Sequence, residues 1–220
     1  MLYAKDYRDR ARASLGNQWL GNRWLSFVLI ALIYSLILAA CGSISWLGIG
    51  VVLAIVIGGP LEYGITYTSL KAVRSGEVLQ LNDLFEGFKD LTNKVLLYLI
   101  NAVLTFLWTL LFIIPGIIKS IEYSMSFYIL NDNPLMQAND ARKASMAMMY
   151  GHRWSYFCLQ FSFIGWWLLS ILTFGILSFW VEAYVRTANA HFYQSLLPEV
   201  VIEPPVGDPF ENNDIDNNQI

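Results

Sequence analysis

Five ionisable residues, Glu62, Lys119, Glu122, Glu182 and Arg186, lie inside stretches that are otherwise apolar. A charge in such a place is costly unless it is paired. Groups of this kind therefore either neutralise one another or line a path for an ion, a proton or a polar solute. Glu182 and Arg186 stand four residues apart, and Lys119 and Glu122 three, so each pair can meet on one helical face. Lys119 is also four residues from Pro115-Gly116, about 6 Å of helix, so its stem can reach a polar boundary. Glu62 has no such neighbour on its own helix. It follows Gly58-Gly59-Pro60, where the proline is expected to free a carbonyl and break the helix. An acid beside a broken helix is one way to line an ion or substrate path. The competing expectation is a Glu62 bonded to another helix, with the glycines allowing close packing.

Other chemistry is scarce. The chain has two His and two Cys, and neither Cys41 nor Cys158 has a ligand-type neighbour at a metal-binding spacing. There is no nucleophile motif, phosphate loop or paired-Glu protease motif. Neither a cofactor, nor a metal, nor catalysis is expected. His191, in TANAHFYQSL, reads as a hydrogen-bonding residue near a helix end, and Asn101 and Gln160 as bonds between helices. No soluble basic patch of the kind nucleic-acid binders carry is present.

The elements that must position these groups are long and apolar. Residues 24–61, 95–118 and 154–181 contain no charged side chain, and charged residues make up 14% of the chain against about 25% in a soluble domain. A span needs about 20 apolar residues. Six spans follow, at about 24–41, 45–72, 95–114, 117–130, 154–173 and from Gly175 to about 196, arranged as three hairpins. Pro115-Gly116 reads as the tight turn of the second hairpin. Trp19, Trp24, Trp46 and Trp154 fall at window edges, where interfacial rings are expected.

Amphipathic surface helices complete the layout. In residues 2–15, Tyr3, Tyr7, Ala11 and Leu15 form one stripe and Lys5, Arg8 and Arg12 a basic one. That basic stripe suits an anionic inner leaflet, or else the helix packs on cytosolic loops. LNDLFEGF reads as a short helix capped by Asn82 or Asp83, and Asn133-Pro134 as the start of another that carries Arg142 and Lys143. Lys and Arg gather before the first span, between the second and third, and between the fourth and fifth. The turns near 42, 115 and 174 hold none, so both termini are expected in the cytosol.

The domain reading is a basic arm over 1–23, a six-span domain over 24–197 and an acidic tail over 198–220. Six of the 17 acids lie in that tail, which is rich in Pro and Asn and expected to be disordered. Leu38-Ala39-Ala40-Cys41 has the form of a lipoprotein box, but more apolar span follows it, and the end of a helix is the expected reading. Internal repetition is suggested by Ala11-Arg12 and Gly21-Asn22-Arg23-Trp24, which recur as Ala141-Arg142 and Gly151-His152-Arg153-Trp154. Glu62-Tyr63, Glu122-Tyr123 and Glu182 with Tyr184 recur at intervals of 60. The unit would be a surface helix plus a hairpin, used three times.

The run IIPGIIKSIEYSMSFYILNDNP, the pattern A-x-x-A-S-x-x-x-M-x-x-G, FSFIGWWLLSILTFGI and Y-x-x-x-T-x-x-x-x-F-Y together resemble a bacterial integral-membrane family, domain of unknown function 975. ARASLGNQW and LNDLFEGF fit the same family, and the resemblance covers most of residues 1–197. Ala183 stands where the family pattern has Pro. The resemblance implies six membrane helices in a bacterial plasma membrane and supplies no activity and no site residues. A looser similarity holds to the membrane domains fused to some glycerophosphodiester phosphodiesterases.

The expected class is an all-α polytopic membrane bundle. The expected function is that of a non-catalytic interaction module, a scaffold or regulator acting through membrane-protein partners. The alternative is a small transporter or lipid-handling permease that uses Glu62 and its charged neighbours.

Overall fold

The structure, a computed structural model, describes residues 4–15, 22–43, 49–75, 80–89, 91–173 and 175–197. All regular structure among them is helical. In order these are α1 Ala4–Leu15, α2 Asn22–Ser43, α3 Ile49–Arg74, α4 Leu81–Phe85 with a 3-10 turn Glu86–Phe88, α5 Leu91–Leu111 and α6 Ile113–Tyr123. They continue as α7 Ser126–Asp132, α8 Ala138–Met148, α9 Arg153–Phe161, α10 Ile164–Leu172 and α11 Ser178–Leu196. Two stretches, Leu91–Leu111 and Arg153–Leu172, are long and apolar enough to cross a membrane, and α2 holds a shorter apolar stretch, Trp24–Ile37.

The core lies where α1, α2, α3 and α11 meet. Trp24, Phe27, Phe163 and Phe192 are all fully buried there, and Tyr184 receives the edges of Phe163 and Trp166. Trp24 is therefore a core side chain against Tyr184, not the interfacial ring its position suggested. Trp154 is 73% exposed, while Trp19 and Trp46 lie outside the described residues.

Several local expectations are corrected. The helix does not break at Gly58-Gly59-Pro60, and α3 runs through all three. The glycines serve packing: a Cβ on Gly59 would lie 2.8 Å from the Lys94 carbonyl oxygen, and one on Gly64 would overlap the Leu84 carbonyl. Gly87 of the 3-10 turn sits directly on the Pro60 carbonyl, which secures this stretch from outside the helix. The turn of the second hairpin is at Phe112, whose backbone is extended (φ −155°, ψ 134°), and not at Pro115-Gly116. Pro115 falls in the first turn of α6, where its missing N–H costs nothing. Gly116 packs tightly on Thr109. α4 begins after Gln80, and Asp83 caps it from the third helical position by accepting the Gln80 N–H at 3.0 Å. α8 begins after Gln137, so Asn133-Pro134 belongs to the preceding turn. Residues 38–41 continue α2, although the side chain of Cys41 lies outside the described residues, as does the tail 198–220. Cys158 is a free thiol.

The surface helices dock in a cyclic order. α1 buries Tyr7, Ala11 and Leu15 against α11 and also meets α9, which belong to the third hairpin. α4 and its 3-10 turn pack on α3 and α2, the first hairpin. α8 packs on α5, α6 and α7, the second hairpin. Each therefore covers the hairpin before its own, and α1 closes the ring. Tyr7 Oη and Ser195 Oγ are 3.0 Å apart, and Ser14 Oγ lies 2.7 Å from His191 Nε2. Of the apolar stripe of α1, Tyr7, Ala11 and Leu15 are thus covered by protein, while Tyr3 lies outside the described residues.

A clamp joins α3, α7 and α11. Arg74 donates to both Asp132 carboxylate oxygens at 2.7 and 2.9 Å, and the Tyr193 hydroxyl donates to one of them at 2.8 Å. Burial works to raise the Asp132 carboxyl, but the bonds from Arg74 and Tyr193 outweigh it and hold the group below its ordinary value of 3.8. Such a group stabilises the fold fully above the unfolded value and loses that contribution as the pH falls through the folded one. Asp132→Asn is expected to cost about 1 kcal/mol at neutral pH. In melting curves recorded against pH, its difference from wild type should shrink progressively below 3.8. A constant difference down to pH 2 would contradict the assignment.

Candidate functional site

The five ionisable residues gather into two clusters. In the first, Arg186 of α11 stands between two acids. Its Nε donates to Glu182 Oε1 at 2.7 Å, four residues back on the same helix. Its Nη1 and Nη2 donate to the two carboxylate oxygens of Glu62 on α3, the second at 3.1 Å. Tyr34 of α2 donates its hydroxyl to Glu62 Oε2 at 3.3 Å. The fork of a guanidinium matches a carboxylate in this bidentate way, which fixes α3 against α11. Glu62 is therefore not without a partner. Its partner is 124 residues away and is shared with the local pair.

In the second cluster one acid stands between two bases. Glu122 of α6, with 3% of its side chain exposed, accepts Lys119 Nζ at 2.7 Å and Arg153 Nη2 of α9 at 2.8 Å. Ser145 of α8 donates to the Glu122 carbonyl at 2.6 Å. The two clusters are mirror images in charge. Glu62, Glu182 and Arg186 carry a surplus acid, and Lys119, Glu122 and Arg153 a surplus base. Two of the three tyrosines that accompany the repeated acids also share a trait. Lys94 Nζ stands 4.0 Å from the Tyr63 ring centre and the Arg142 guanidinium 5.5 Å from that of Tyr123.

Beside Glu62 a groove of about 520 Å³ opens between α3, α5, α6 and α7. On α5 it is lined by Tyr98, Asn101, Thr105 and Thr109, spaced so that they form one stripe. Ser120, Tyr123, Ser124 and Phe127 form the facing stripe on α6 and α7. Glu62 closes one end, while Glu122 and Glu182 do not line the groove. Of the expected site residues only Glu62 lines this groove, and the other four serve it or stand apart. Asn101 Nδ2 reaches Ser126 Oγ at 3.4 Å, and Gln160 Nε2 reaches Asn189 Oδ1 at 2.7 Å, both between helices as their positions suggested.

Sequence reasoning missed the groove. Its signal was the recurrence of Asn101, Thr105 and Thr109 every fourth residue within an apolar window, repeated by Ser120 and Ser124. It also missed Arg153, which looked like a boundary cation and is the second partner of a buried acid.

The family model described as "Protein of unknown function (DUF975)" matches residues 1–121 and 110–199. No curated protein and no solved structure matches the chain significantly.

Proposed function

The chain belongs to the DUF975 family of proteins of unknown function, and we propose that it is a six-span protein of a bacterial plasma membrane whose groove beside Glu62 takes up a small solute or a lipid headgroup. The spans lie within α2, α3, α5, α6 with α7, α9 with α10, and α11, with Arg74 and Asp132 beyond them on the cytosolic side. The shortest, α11 with 19 residues, is about 29 Å long, close to the ~30 Å of a hydrocarbon core. The outward apolar faces support this. Leu110, Ile113 and Ile114 are 72, 70 and 73% exposed, and Ile171 and Leu172 both 76%, a surface that water would not tolerate and lipid would cover. The basic loops between spans two and three and spans four and five support cytosolic termini.

One observation carries the ligand reading: Glu62 lies on a groove that also displays an amide, four Ser or Thr hydroxyls and two tyrosines between otherwise apolar helices. Polar groups in such a place are costly unless a partner meets them. The scaffold reading draws on a different observation. Each ionised group in the two clusters already has a counter-charge within the chain, which is what a structural role needs.

Thiol accessibility separates the two. In a chain with Cys41 and Cys158 replaced, a membrane-impermeant methanethiosulfonate added from outside intact cells should label Thr105→Cys. It should spare Leu107→Cys on the opposite, lipid-facing side of α5. Asp140→Cys should react only after permeabilisation. Thr105→Cys as inert as Leu107→Cys would mean a dry groove and end the ligand reading. Labelling of Asp140→Cys from outside would reverse the orientation.

A further inference from the structure

We propose that the groove recognises an organic ammonium group, as part of a free amine or of an aminolipid. This deepens the ligand reading above and rests on it.

The walls offer acceptors. The Thr109 hydroxyl donates to the Thr105 carbonyl at 2.7 Å, Ser120 to Ile117 at 2.9 Å and Ser124 to Ile121 at 2.7 Å. Each of these three hydroxyl protons is committed to its own helix, so their lone pairs remain for the groove. Asn101 commits its Nδ2 to Ser126, while its Oδ1 is buried and accepts no hydrogen bond. The Glu62 carboxylate only accepts. No Lys, Arg or His is among the described lining residues. A ligand that suits this surface brings donors.

Charge points the same way. Among the described residues Glu62 shares its one close cation with Glu182, so this group carries a surplus acid. The balancing base is held elsewhere, with Lys119 and Arg153 both turned onto Glu122. An anion entering the groove would meet no donor cation and would approach that acid. A cation would be drawn to it, more strongly than in water because the surroundings are apolar.

Shape selects among cations. A metal ion needs several oxygens converging within about 2.0–2.6 Å. Here the acceptors are strung along α5 from Tyr98 to Thr109, about 16 Å of helix. Rings of Tyr98, Phe106, Tyr123 and Phe127 fill the wall between them. Aromatic faces attract an ammonium and pack against its carbon skeleton. A volume of about 520 Å³ is that of a small-molecule site.

The probe is 2-phenylethylammonium, titrated calorimetrically into the full chain in phosphatidylglycerol nanodiscs with empty discs subtracted. Its neutral and anionic counterparts are 2-phenylethanol and 3-phenylpropionate. The ammonium should bind roughly tenfold or more tighter than the alcohol, and the carboxylate should not bind measurably. Asn101→Leu and Glu62→Gln should each weaken the ammonium by roughly tenfold. Leu107→Ala, on the lipid side, should leave it unchanged. Asn101→Leu leaves every ion pair in place, so it tests the site even where Glu62→Gln fails to fold. Adding phosphatidylethanolamine to the discs separates the two sources. Competition with the probe supports the lipid headgroup, and unchanged affinity supports a free amine. Equal binding of alcohol and ammonium would overturn the inference while leaving a ligand groove, provided Thr105→Cys is reactive. Ammonium binding indifferent to Asn101→Leu would overturn it by placing the amine elsewhere.

Discussion

Arg186→Met is expected to cost about 3–5 kcal/mol, enough to prevent accumulation of the folded protein, because it strands two carboxylates at once. Glu62 and Glu182 both direct an oxygen at this guanidinium, and Tyr34 is the only other close donor to Glu62 among the described residues. Lys at the same position is not an adequate replacement. An ammonium is a point charge and cannot bridge two acids with the fork that Arg186 uses. Neutralising the acids should rescue the variant. Glu62→Gln with Glu182→Gln in the Arg186→Met background removes the stranded charges, and most of the lost stability should return. Fluorescence-detected thermal melting of the single and triple variants, with expression level as a second readout, checks this. A single variant as stable as wild type would mean that the three side chains do not depend on one another.

Gly64→Ala and Gly87→Ala should each destabilise the fold by about 3 kcal/mol or more, through a methyl group that has nowhere to go. On Gly64 it would overlap the Leu84 carbonyl, and on Gly87 the Pro60 carbonyl, so backbone and not a flexible side chain would have to move. Two other glycines set the scale. A Cβ on Gly58 meets only the Tyr98 ring, at 3.1 Å, and the ring can turn aside. A Cβ on Gly165 meets nothing within 4 Å. The expected order of melting temperatures is Gly165→Ala near wild type, then Gly58→Ala, with Gly64→Ala and Gly87→Ala far below. If the four variants melted together, the close approach of α4 to α3 would not be a determinant of stability.

What could be read from the sequence follows the range of the interactions involved. Lys119 with Glu122 and Glu182 with Arg186 were legible because a helix alone brings residues three or four apart together. Glu62 with Arg186 was not, since the pair exists only once α3 lies against α11. The fate of Pro60 was hidden for the same reason. Proline weakens an isolated helix, but here Gly87 from another segment packs on its carbonyl and Gly59 lets α5 approach. The misplaced turn at Pro115-Gly116 shows the ambiguity of one residue type. Proline ends some helices and opens others, and only the extended backbone of Phe112 decides which. The helical class was plain in the apolar windows. The groove was not, because Thr and Ser in an apolar helix usually bond their own backbone, and their residual lone pairs matter only where a second such stripe faces them.

The closed ring of surface helices sets a condition on synthesis. Of the described helices, α1 is made first and α11 last, and the bonds that seat one on the other join residues 177 and 188 positions apart. While the chain emerges, the Tyr7, Ala11 and Leu15 face of α1 has no partner from its own protein. That face stays without its seat until α9 and α11 have been made. Contacts of such long sequence separation form slowly. A chain that stalls before α11 would therefore leave α1 unlatched from its main partner, whatever else had already folded.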